Sequence, residues 1–291
     1  MAKLKILITG KDSQLSKQII RDLENDKLIL KKHQKQVFAF DKHELDITNK
    51  ENTIKVIKQI SPDILINCAS YNKVDDAENN EDIAMRINAL APSYLAMACK
   101  EVNSYLIHFS TDYVFDGLNL KAYVETDKPN PINIYGKSKS IGENNIREIH
   151  EKSAVIRTSW LYSEFENNFA TTIIKKLFKN EELKVVDDQI GNPTNIYELS
   201  NQLESIINNE ICGIIHCSSE GETSWYCYAK KIAELINIKA NISPIKTEQL
   251  SRLAKRPKYS SLQNKVLNDN KINEMSQWEN ALEKFIINYI K

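Results

Sequence analysis

The sequence lacks a surplus of charge of either sign, and it lacks any long apolar run. Its 39 Lys and Arg residues balance 39 Asp and Glu residues, so no overall field attracts nucleic acid or an acidic membrane. The first apolar run is interrupted at Lys5 and is too short for a signal peptide or a membrane-spanning helix. We therefore expect a cytoplasmic protein that acts on small molecules, with no nucleic-acid or membrane partner.

Cysteine is also scarce. The five cysteines are odd in number and form no Cys-x-x-Cys pair, which argues against a disulfide framework and against a metal cluster. Without a secretory signal they are expected to be reduced thiols, most of them buried. No metal site is predicted.

Short apolar segments alternate with amphipathic helical segments along the first half of the chain. The predicted strands are KLKILI, QVFAF, DILINCA, YLIHFS and SAVIRTS, and the stretch Ile83 to Val102 predicts one long helix. This alternation favours an α/β fold, a doubly wound parallel sheet of Rossmann-like type. After about Tyr162 the rhythm loosens, and the segments there, GIIHC included, predict a smaller C-terminal α/β lobe. We place a dinucleotide-binding domain at residues 1–162 and a substrate lobe at 163–291, with interleaved contacts and an approximate boundary.

The segment TGKDSQLS follows the first predicted strand, where a dinucleotide-binding fold keeps its glycine-rich loop. Only Gly10 is a glycine, and Ser13 and Ser16 stand at the other two glycine positions. Backbone N–H groups and the helix dipole still favour a pyrophosphate there. If Ser13 has to adopt a positive φ, strain of about 1 kcal/mol weakens binding severalfold. We therefore expect a loop that functions but is impaired or reshaped.

Tyr135 and Lys139 are the strongest candidates for chemistry. One helical turn apart, they share a helix face, and a nearby ammonium favours the phenolate, which pulls the tyrosine pKa down from about 10. Such a tyrosine can protonate a carbonyl that is being reduced. Tyr226 and Lys230 have the same spacing, but they lie in an amphipathic helix, where aromatic residues usually pack. Tyr135 is preferred because it follows a proline-bearing loop downstream of Thr111, which ends a buried strand.

Several longer segments resemble one known family. STDYVFDG, RTSW, DQIGNPT and YVETDKPNPINIYGKSK are similar to motifs of the dTDP-4-dehydrorhamnose reductases, which are extended short-chain dehydrogenase/reductases. Matching motifs occur in the family's order from residue 4 to about residue 262. The resemblance implies two lobes and NAD(P)H-dependent reduction of the 4-keto group of dTDP-4-dehydro-6-deoxy-L-mannose to dTDP-L-rhamnose. The cofactor would be NADPH or NADH, and the partner would be a dTDP-sugar.

The resemblance also implies roles for individual residues. Tyr135 would be the proton donor, Lys139 would lower its pKa and hold the nicotinamide ribose, and Thr111 would orient the carbonyl. Trp160 would line the sugar site, where an indole can cover an apolar sugar face. The residues expected to bind the substrate are Thr111, Asp112, Tyr113, Trp160 and Arg256. The residues expected to bind the cofactor are Gly10, Ser13, Gln14, Leu15, Asp41, Asp46, Ile47, Ala69, Ser70, Tyr71, Phe109, Tyr135 and Lys139.

Some of these assignments have alternatives. Asp46 is expected to contact the adenine, to begin the next helix as its N-cap, or both. Arg256 is proposed for the substrate diphosphate because a guanidinium binds phosphate bidentately, and a solvated charged loop is the alternative. Asp41 favours NADH, whereas Lys42 and His43 directly after it favour the 2′-phosphate of NADPH.

The sequence also leaves the function open at two points. The lost glycines suit a non-catalytic nucleotide-binding regulatory subunit of the methionine adenosyltransferase type. A reductase or epimerase for another nucleotide-linked 6-deoxyhexose is the other alternative, because pocket shape decides which sugar fits. Apolar helix faces serve a core and an interface equally well, so a homodimer also stays open.

Overall fold

The fold was analysed in a computed structural model, which describes residues 3–30, 34–165 and 167–290. In chain order the strands are β1 (Leu4–Thr9), β2 (Lys35–Phe40), β3 (Ile64–Asn67), β4 (Tyr105–Thr111), β5 (Ser153–Thr158), β6 (Leu161–Tyr162), β7 (Leu183–Val186), β8 (Ile190–Gly191), β9 (Thr194–Asn195), β10 (Gly213–His216), β11 (Thr223–Ser224) and β12 (Ile242–Ile245). The helices are α1 (Gln14–Glu24), α2 (Lys50–Ile60), α3 (Val74–Asn79), α4 (Glu81–Met85), α5 (Ala91–Val102), α6 (Ile134–Ile149), α7 (Phe169–Phe178), α8 (Ile196–Asn208), α9 (Trp225–Leu235), α10 (Lys265–Asp269) and α11 (Trp278–Ile290). Among the described residues, none of the helices has the length and apolar character needed to cross a bilayer.

Six strands form the central sheet in the order β10-β5-β4-β3-β1-β2, and every neighbouring pair is parallel. This confirms the predicted doubly wound α/β fold. The chain leaves β1 for β2 on one side and returns to β3 on the other, so the sheet has a switch point between β1 and β3. Ligands of such sheets bind in the crevice beyond the carboxyl ends of the strands at that point.

Side chains alternate between two apolar layers, one on each face of the sheet. Along β1, Ile6 and Ile8 pack under α1 and α8, whereas Leu7 faces the opposite layer, which α2, α5 and α6 cover. Residues one apart in a strand point to opposite faces, and both faces here are covered by helices. This explains why the strands read as continuous apolar runs.

The C-terminal half has its own apolar cluster, built around Tyr162, Ile174, Tyr228 and Leu282 from β6, α7, α9 and α11. However, the GIIHC segment, assigned from sequence to the smaller lobe, forms β10 and extends the main sheet beside β5. A short apolar run does not show which sheet it joins. The boundary at residue 162 stays a prediction.

The predicted helix from Ile83 to Val102 is interrupted. A π-helical turn at Arg86–Leu90 separates α4 from α5. The turn presents Asn88, whose Oδ1 accepts from the Tyr71 N–H at 2.8 Å and whose Nδ2 donates to Ser138 Oγ at 3.0 Å. π-Turns inside helices often lie at functional sites, and this one links the loop after β3 to α6.

The cysteines differ in part from the sequence-based expectation. The structure has them as free thiols in the part of the chain that it describes, with Cys99 and Cys217 buried and Cys68 half-buried. Cys212 and Cys227 are exposed, so burial holds for fewer of them than predicted.

Candidate active site

Gly10 directly follows β1 and brings the exits of β1 and β3 together. Its φ is +71°, and a Cβ at this position would lie 2.6 Å from the Ala69 nitrogen, which is closer than real Cβ contacts come. Both the backbone conformation and the close approach require glycine. The first glycine of the predicted dinucleotide loop is therefore essential to the shape of the crevice.

The serines that replace the other glycines are not strained. Ser13 has φ −66° and ψ 150° and is the N-cap of α1, with its Oγ accepting from the Ser16 N–H at 3.2 Å. The Ser16 hydroxyl donates to the Gly10 carbonyl at 2.8 Å. The supposition of a positive φ at Ser13 is wrong, because serine closes the loop as a helix cap in extended conformation. Hydrogen bonds from side chains stabilise the turn in place of glycine flexibility.

A cavity of about 250 Å³ lies beside this loop at the switch point. It brings together most of the residues predicted to bind the adenosine half of the cofactor. Those that line it are Gly10, Ser13, Asp41, Asp46, Ile47, Ala69 and Ser70. Leu15 is instead buried in the core, and Gln14 Oε1 accepts from Ser163 Oγ at 3.0 Å. The expectation that Asp46 is the N-cap of the next helix is wrong: Asn49 caps α2, with Oδ1 accepting from the Asn52 N–H at 3.1 Å, and Asp46 Oδ1 accepts from Thr48. A larger cavity of about 620 Å³ near α8 and α11 is lined by none of the predicted residues.

Lys11 is a basic residue beside Asp41, which lines this cavity, and the sequence did not predict it. Its Nζ lies 2.6 Å from Glu44 Oε2 and 3.2 Å from Asp41 Oδ2. Asp41 Oδ1 also accepts from the backbone N–H groups of His43 and Glu44. The backbone hydrogen bond from Glu44 contributes most to lowering the pKa of Asp41. Lys42 is exposed, so both acidic and basic groups surround the place where a ribose hydroxyl or a 2′-phosphate would lie.

Tyr135 and Thr111 come together because the start of α6 is fixed tightly. Asn133 is the N-cap, with Oδ1 accepting from the Gly136 N–H at 2.7 Å. A Cβ on Gly136 would lie 2.0 Å from the Tyr113 carbonyl oxygen, so only glycine lets α6 approach the end of β4 this closely. The Tyr135 hydroxyl lies next to the Thr111 hydroxyl, and the Tyr135 ring meets that of Tyr113 edge-on at 5.8 Å.

The pKa of Tyr135 differs in direction from the sequence-based expectation. Burial, the largest cause, raises it well above its ordinary value, and Asp112 and Tyr113 add to this, whereas the hydrogen bond with Thr111 opposes it. Lys139 Nζ does not compensate, because it donates to the Phe109 carbonyl at 2.5 Å. Burial also lowers the pKa of Lys139 to about 8. The phenol is thus protonated at neutral pH, the state that a proton donor needs.

Asp112 lies at the other side of Thr111. The Thr111 hydroxyl donates to Asp112 Oδ1 at 3.0 Å, and the Ser260 hydroxyl donates to Oδ2 at 2.6 Å. Burial raises the pKa of this carboxyl to about 6, and these hydrogen bonds partly offset the effect. Ser260 was not predicted as a site residue, although it lies in KRPKYSSL, a segment that also resembles the reductase family.

Two predicted substrate residues are already engaged by protein groups. The Trp160 indole stacks on Trp225, with ring centroids 3.5 Å apart and planes at 9°, and Gly191 lies close against it. Arg256 forms a bidentate ion pair with Asp75 at 2.7 Å for both contacts, and its side chain is 5% exposed. A sugar would have to meet the free edge of the indole or displace Trp225, and a diphosphate would share the guanidinium with Asp75.

In the second Tyr-x-x-x-Lys pair the tyrosine packs against the C-terminal apolar cluster. Tyr226 and Lys230 lie on α9, and the Lys230 ammonium sits 5.5 Å from the centre of the Tyr226 ring. Within the described residues no cluster of three or more His, Cys, Asp or Glu side chains is arranged to hold a metal ion.

Comparison with known proteins connects this geometry to a family. The family model described as "RmlD substrate binding domain" matches residues 4–290. A dTDP-4-dehydrorhamnose reductase from Aggregatibacter actinomycetemcomitans is 36% identical over 96% of this chain and 97% of its own length. The chain belongs to the dTDP-4-dehydrorhamnose reductase family. The family resemblance read from the motifs is therefore confirmed.

Other relatives of this reductase family extend the comparison. A dTDP-4-keto-6-deoxy-D-glucose reductase from Streptomyces niveus is 29% identical over 95% of this chain and 94% of its own length. The crystal structure of a dTDP-4-dehydrorhamnose reductase from Bacillus anthracis in complex with NADP superposes with a TM-score of 0.93. That protein is 41% identical, over 99% of this chain and 100% of its own. The family consists of NAD(P)H-dependent oxidoreductases, so the chain is an enzyme of that type.

Proposed function

We propose that this protein reduces the 4-keto group of dTDP-4-dehydro-6-deoxy-L-mannose to give dTDP-L-rhamnose, with Tyr135 as the proton donor. The observation that carries the proposal is the convergence of Thr111, Tyr135 and Lys139 beside the crevice that Gly10 opens at the switch point of the sheet. Membership of the reductase family supports the reaction class.

The crevice suits a dinucleotide. The missing Cβ of Gly10 lets the backbone approach Ala69, and the Ser13 cap leaves the N-terminus of α1 directed at the crevice. Asp46 and Ile47 line the same cavity, where a carboxylate can accept from an adenine amine and an isoleucine can cover its ring. Asp41, Ala69, Ser70 and Tyr71 are proposed to lie along the cofactor from the ends of β2 and β3. NADPH or NADH, when bound, supplies the hydride.

The protein side of the reaction is a proton transfer. Tyr135 holds its proton at neutral pH and its hydroxyl lies next to that of Thr111, so the two hydroxyls can contact one carbonyl oxygen. As hydride reaches the carbonyl carbon, the phenol gives its proton to the oxygen. Lys139 lies one helical turn away, and with a pKa of about 8 it is still mainly an ammonium at pH 7, so its positive charge stabilises the phenolate left behind.

The substrate is proposed to lie between β4 and the C-terminal lobe. Asp112 and Tyr113 would border the sugar, the Trp160 edge would face it, and Arg256 would bind the diphosphate next to Asp75. A cytoplasmic location and a homodimer are proposed as well.

The decisive experiment follows NADPH or NADH oxidation by purified protein with dTDP-4-dehydro-6-deoxy-L-mannose. Tyr135→Phe removes the transferable proton and is expected to lower kcat at least about 100-fold. Tyr226→Phe is the matched control, since it removes a hydroxyl from the other Tyr-x-x-x-Lys pair, and it should retain parental activity. Full activity of Tyr135→Phe would remove this tyrosine from the mechanism.

The same assay separates the alternatives. Cofactor binding without turnover of any dTDP-4-keto-6-deoxy sugar would favour the regulatory subunit. Faster turnover of dTDP-4-keto-6-deoxy-D-glucose than of the L-manno substrate would assign a different sugar product.

A further inference from the structure

A chain of buried side-chain hydrogen bonds ends at Lys139. Thr9 Oγ1 donates to Asn67 Oδ1 at 2.6 Å, Asn67 Nδ2 lies 2.8 Å from His108 Nδ1, and His108 Nε2 lies 3.3 Å from Lys139 Nζ. The four residues come from β1, β3, β4 and α6, and each is 1% exposed. The proposed mechanism assigns no role to Thr9, Asn67 or His108.

The direction of donation along this series of hydrogen bonds is fixed at Asn67. The backbone N–H of Ala69 donates to Asn67 Oδ1 at 3.1 Å, and Thr9 donates to the same oxygen, so the amide nitrogen must face His108. An amide N–H can only donate, which makes His108 Nδ1 the acceptor. A neutral histidine then carries its hydrogen on Nε2, and this N–H points to Lys139.

Lys139 therefore meets a donor where an ammonium would need an acceptor. An uncharged amine satisfies every contact, because it accepts from His108 Nε2–H and donates to the Phe109 carbonyl. An ammonium leaves two N–H groups facing each other. Moving the His108 hydrogen to Nδ1 only transfers the conflict to Asn67, and flipping that amide transfers it to Ala69.

The other groups around Lys139 affect its charge, but none of them takes the place of the contact with His108. Glu143, one turn further along α6, favours the ammonium, but its carboxylate is bound by Arg157 at 2.7 and 2.9 Å and by Ser110 at 2.5 Å. Cys68 also favours the charged form, and burial opposes it. Burial and Lys139 hold the pKa of His108 well below its ordinary value, so the ring stays neutral. The series ends at buried Thr9, so Asn67 and His108 do not connect Lys139 to solvent at that end.

We infer that His108 is a positioning residue for Lys139: its Nε2–H, oriented by Asn67, confines the amine against the Phe109 carbonyl and favours its uncharged form. The catalytic meaning of this inference rests on the proposed function, but the contact itself does not. It gives the enzyme a lysine that changes charge near neutral pH directly beside the proton donor.

Nuclear magnetic resonance of the whole protein labelled at histidine and lysine tests the inference without cofactor or substrate. We expect His108 to show the ¹⁵N shifts of the Nε2–H form above the Lys139 transition. The Lys139 side-chain resonances and the His108 nitrogens should move with one common midpoint. His150 is the internal control: it is buried with Nε2 at 2.8 Å from the Ser104 carbonyl, so it should not follow that midpoint.

Asn67→Asp replaces the amide that donates to His108 Nδ1 with a carboxylate that can only accept. A carboxylate accepts from Nδ1–H, so His108 should switch tautomer, present a lone pair to Lys139, and raise the proton affinity of the lysine at least about tenfold. An Nδ1–H form in the parent protein, separate midpoints for the two residues, or a switched tautomer with an unmoved lysine would each overturn the inference. If Asn67→Asp does not fold, the parent spectra decide alone. Coupled titration in a protein without reductase activity would sustain the inference and reject the proposed function.

Discussion

At the scale of single residues, the site is defined by the burial of groups that normally remain in water. Tyr135, Lys139 and Asp112 all have pKa values displaced by burial, and in each case the pKa is shifted in the direction that favours the uncharged form. Displaced titrations cluster at sites of chemistry because catalysis needs groups that can exchange protons near neutral pH. We therefore expect the buried ammonium of Lys139 to destabilise the fold, and we attribute its presence to the needs of catalysis.

Replacement of Lys139 by methionine should remove this destabilisation and raise the free energy of unfolding. The folded pKa of about 8 lies below the ordinary 10.5, so the ammonium destabilises the fold by about 3 kcal/mol at pH 7. Between pH 8 and 10.5 the unfolded lysine holds more protons than the folded one, so the parent gains stability as pH rises. Lys139→Met should thus be more stable than the parent at pH 7 in urea unfolding, and this advantage should shrink by pH 9.5.

Lys137→Met is the control for this comparison. Lys137 lies on the same helix but is exposed, with its side chain 53% accessible and paired with Glu81. Its replacement should show no such change between the two pH values. A pH-independent gap between Lys139→Met and the parent would contradict a lysine that titrates near pH 8.

At the scale of elements, the loop between β1 and α1 shows how a dinucleotide crevice survives the loss of two glycines. Gly10 provides the one backbone conformation that serine cannot easily adopt, whereas Ser13 and Ser16 take up helix-cap and turn geometry that suits their hydroxyls. The glycine pattern is thus a means to a backbone shape, and the hydrogen-bonding side chains provide another.

Gly10→Ala, compared with a second glycine variant, distinguishes the effect of the close approach to Ala69 from the effect of losing the backbone freedom of glycine. The new Cβ would lie 2.6 Å from the Ala69 nitrogen, so β1 and β3 must move apart, and cofactor affinity should fall more than about tenfold. Gly213→Ala is the matched control: φ is +97°, and a Cβ there would meet no described atom within 4 Å. It should cost only backbone strain, about 1–2 kcal/mol in urea unfolding, with cofactor titrations unchanged. Equal affinities in the two variants would show that the contact with Ala69 is unimportant.

The sequence allowed prediction of elements better than of their contacts. Apolar runs located β1 to β5 because continuous hydrophobic strands are distinctive in a covered parallel sheet. The π-turn at Asn88 could not be predicted, since it depends on Tyr71 and Ser138, which are distant in sequence. The same holds for His108 beside Lys139. The φ of Ser13 instead follows from a local helix cap with Ser16, which comparison with the glycine pattern alone did not reveal. Motifs predicted Tyr135 and Lys139 as the reacting residues, whereas the direction of the Tyr135 pKa required the burial that only the fold reveals.

At the scale of the whole molecule, one segment connects the C-terminal lobe to the end of the sheet. The Lys255 carbonyl accepts from Asn133 Nδ2 at 2.8 Å, Ser260 donates to Asp112, and Arg256 pairs with Asp75. These contacts reach the N-cap of α6, the end of β4 and the start of α3. If the substrate binds between the lobes as proposed, these contacts would couple its binding to α6 through the residues around Arg256.

The pair of Arg256 and Asp75 decides what this segment does for the substrate. If the guanidinium binds the diphosphate, Asp75→Asn removes a competing negative charge and should lower the KM for the dTDP-sugar severalfold, because an amide holds arginine less strongly. Arg256→Met should raise that KM at least about tenfold, with the KM for NADPH unchanged. Lys255→Met is the control, since only the backbone of this residue makes the contact with Asn133. A KM that rises equally in Asp75→Asn and Arg256→Met would mean that the ion pair only fastens the lobe, and Arg256 would then lose its place among the substrate ligands.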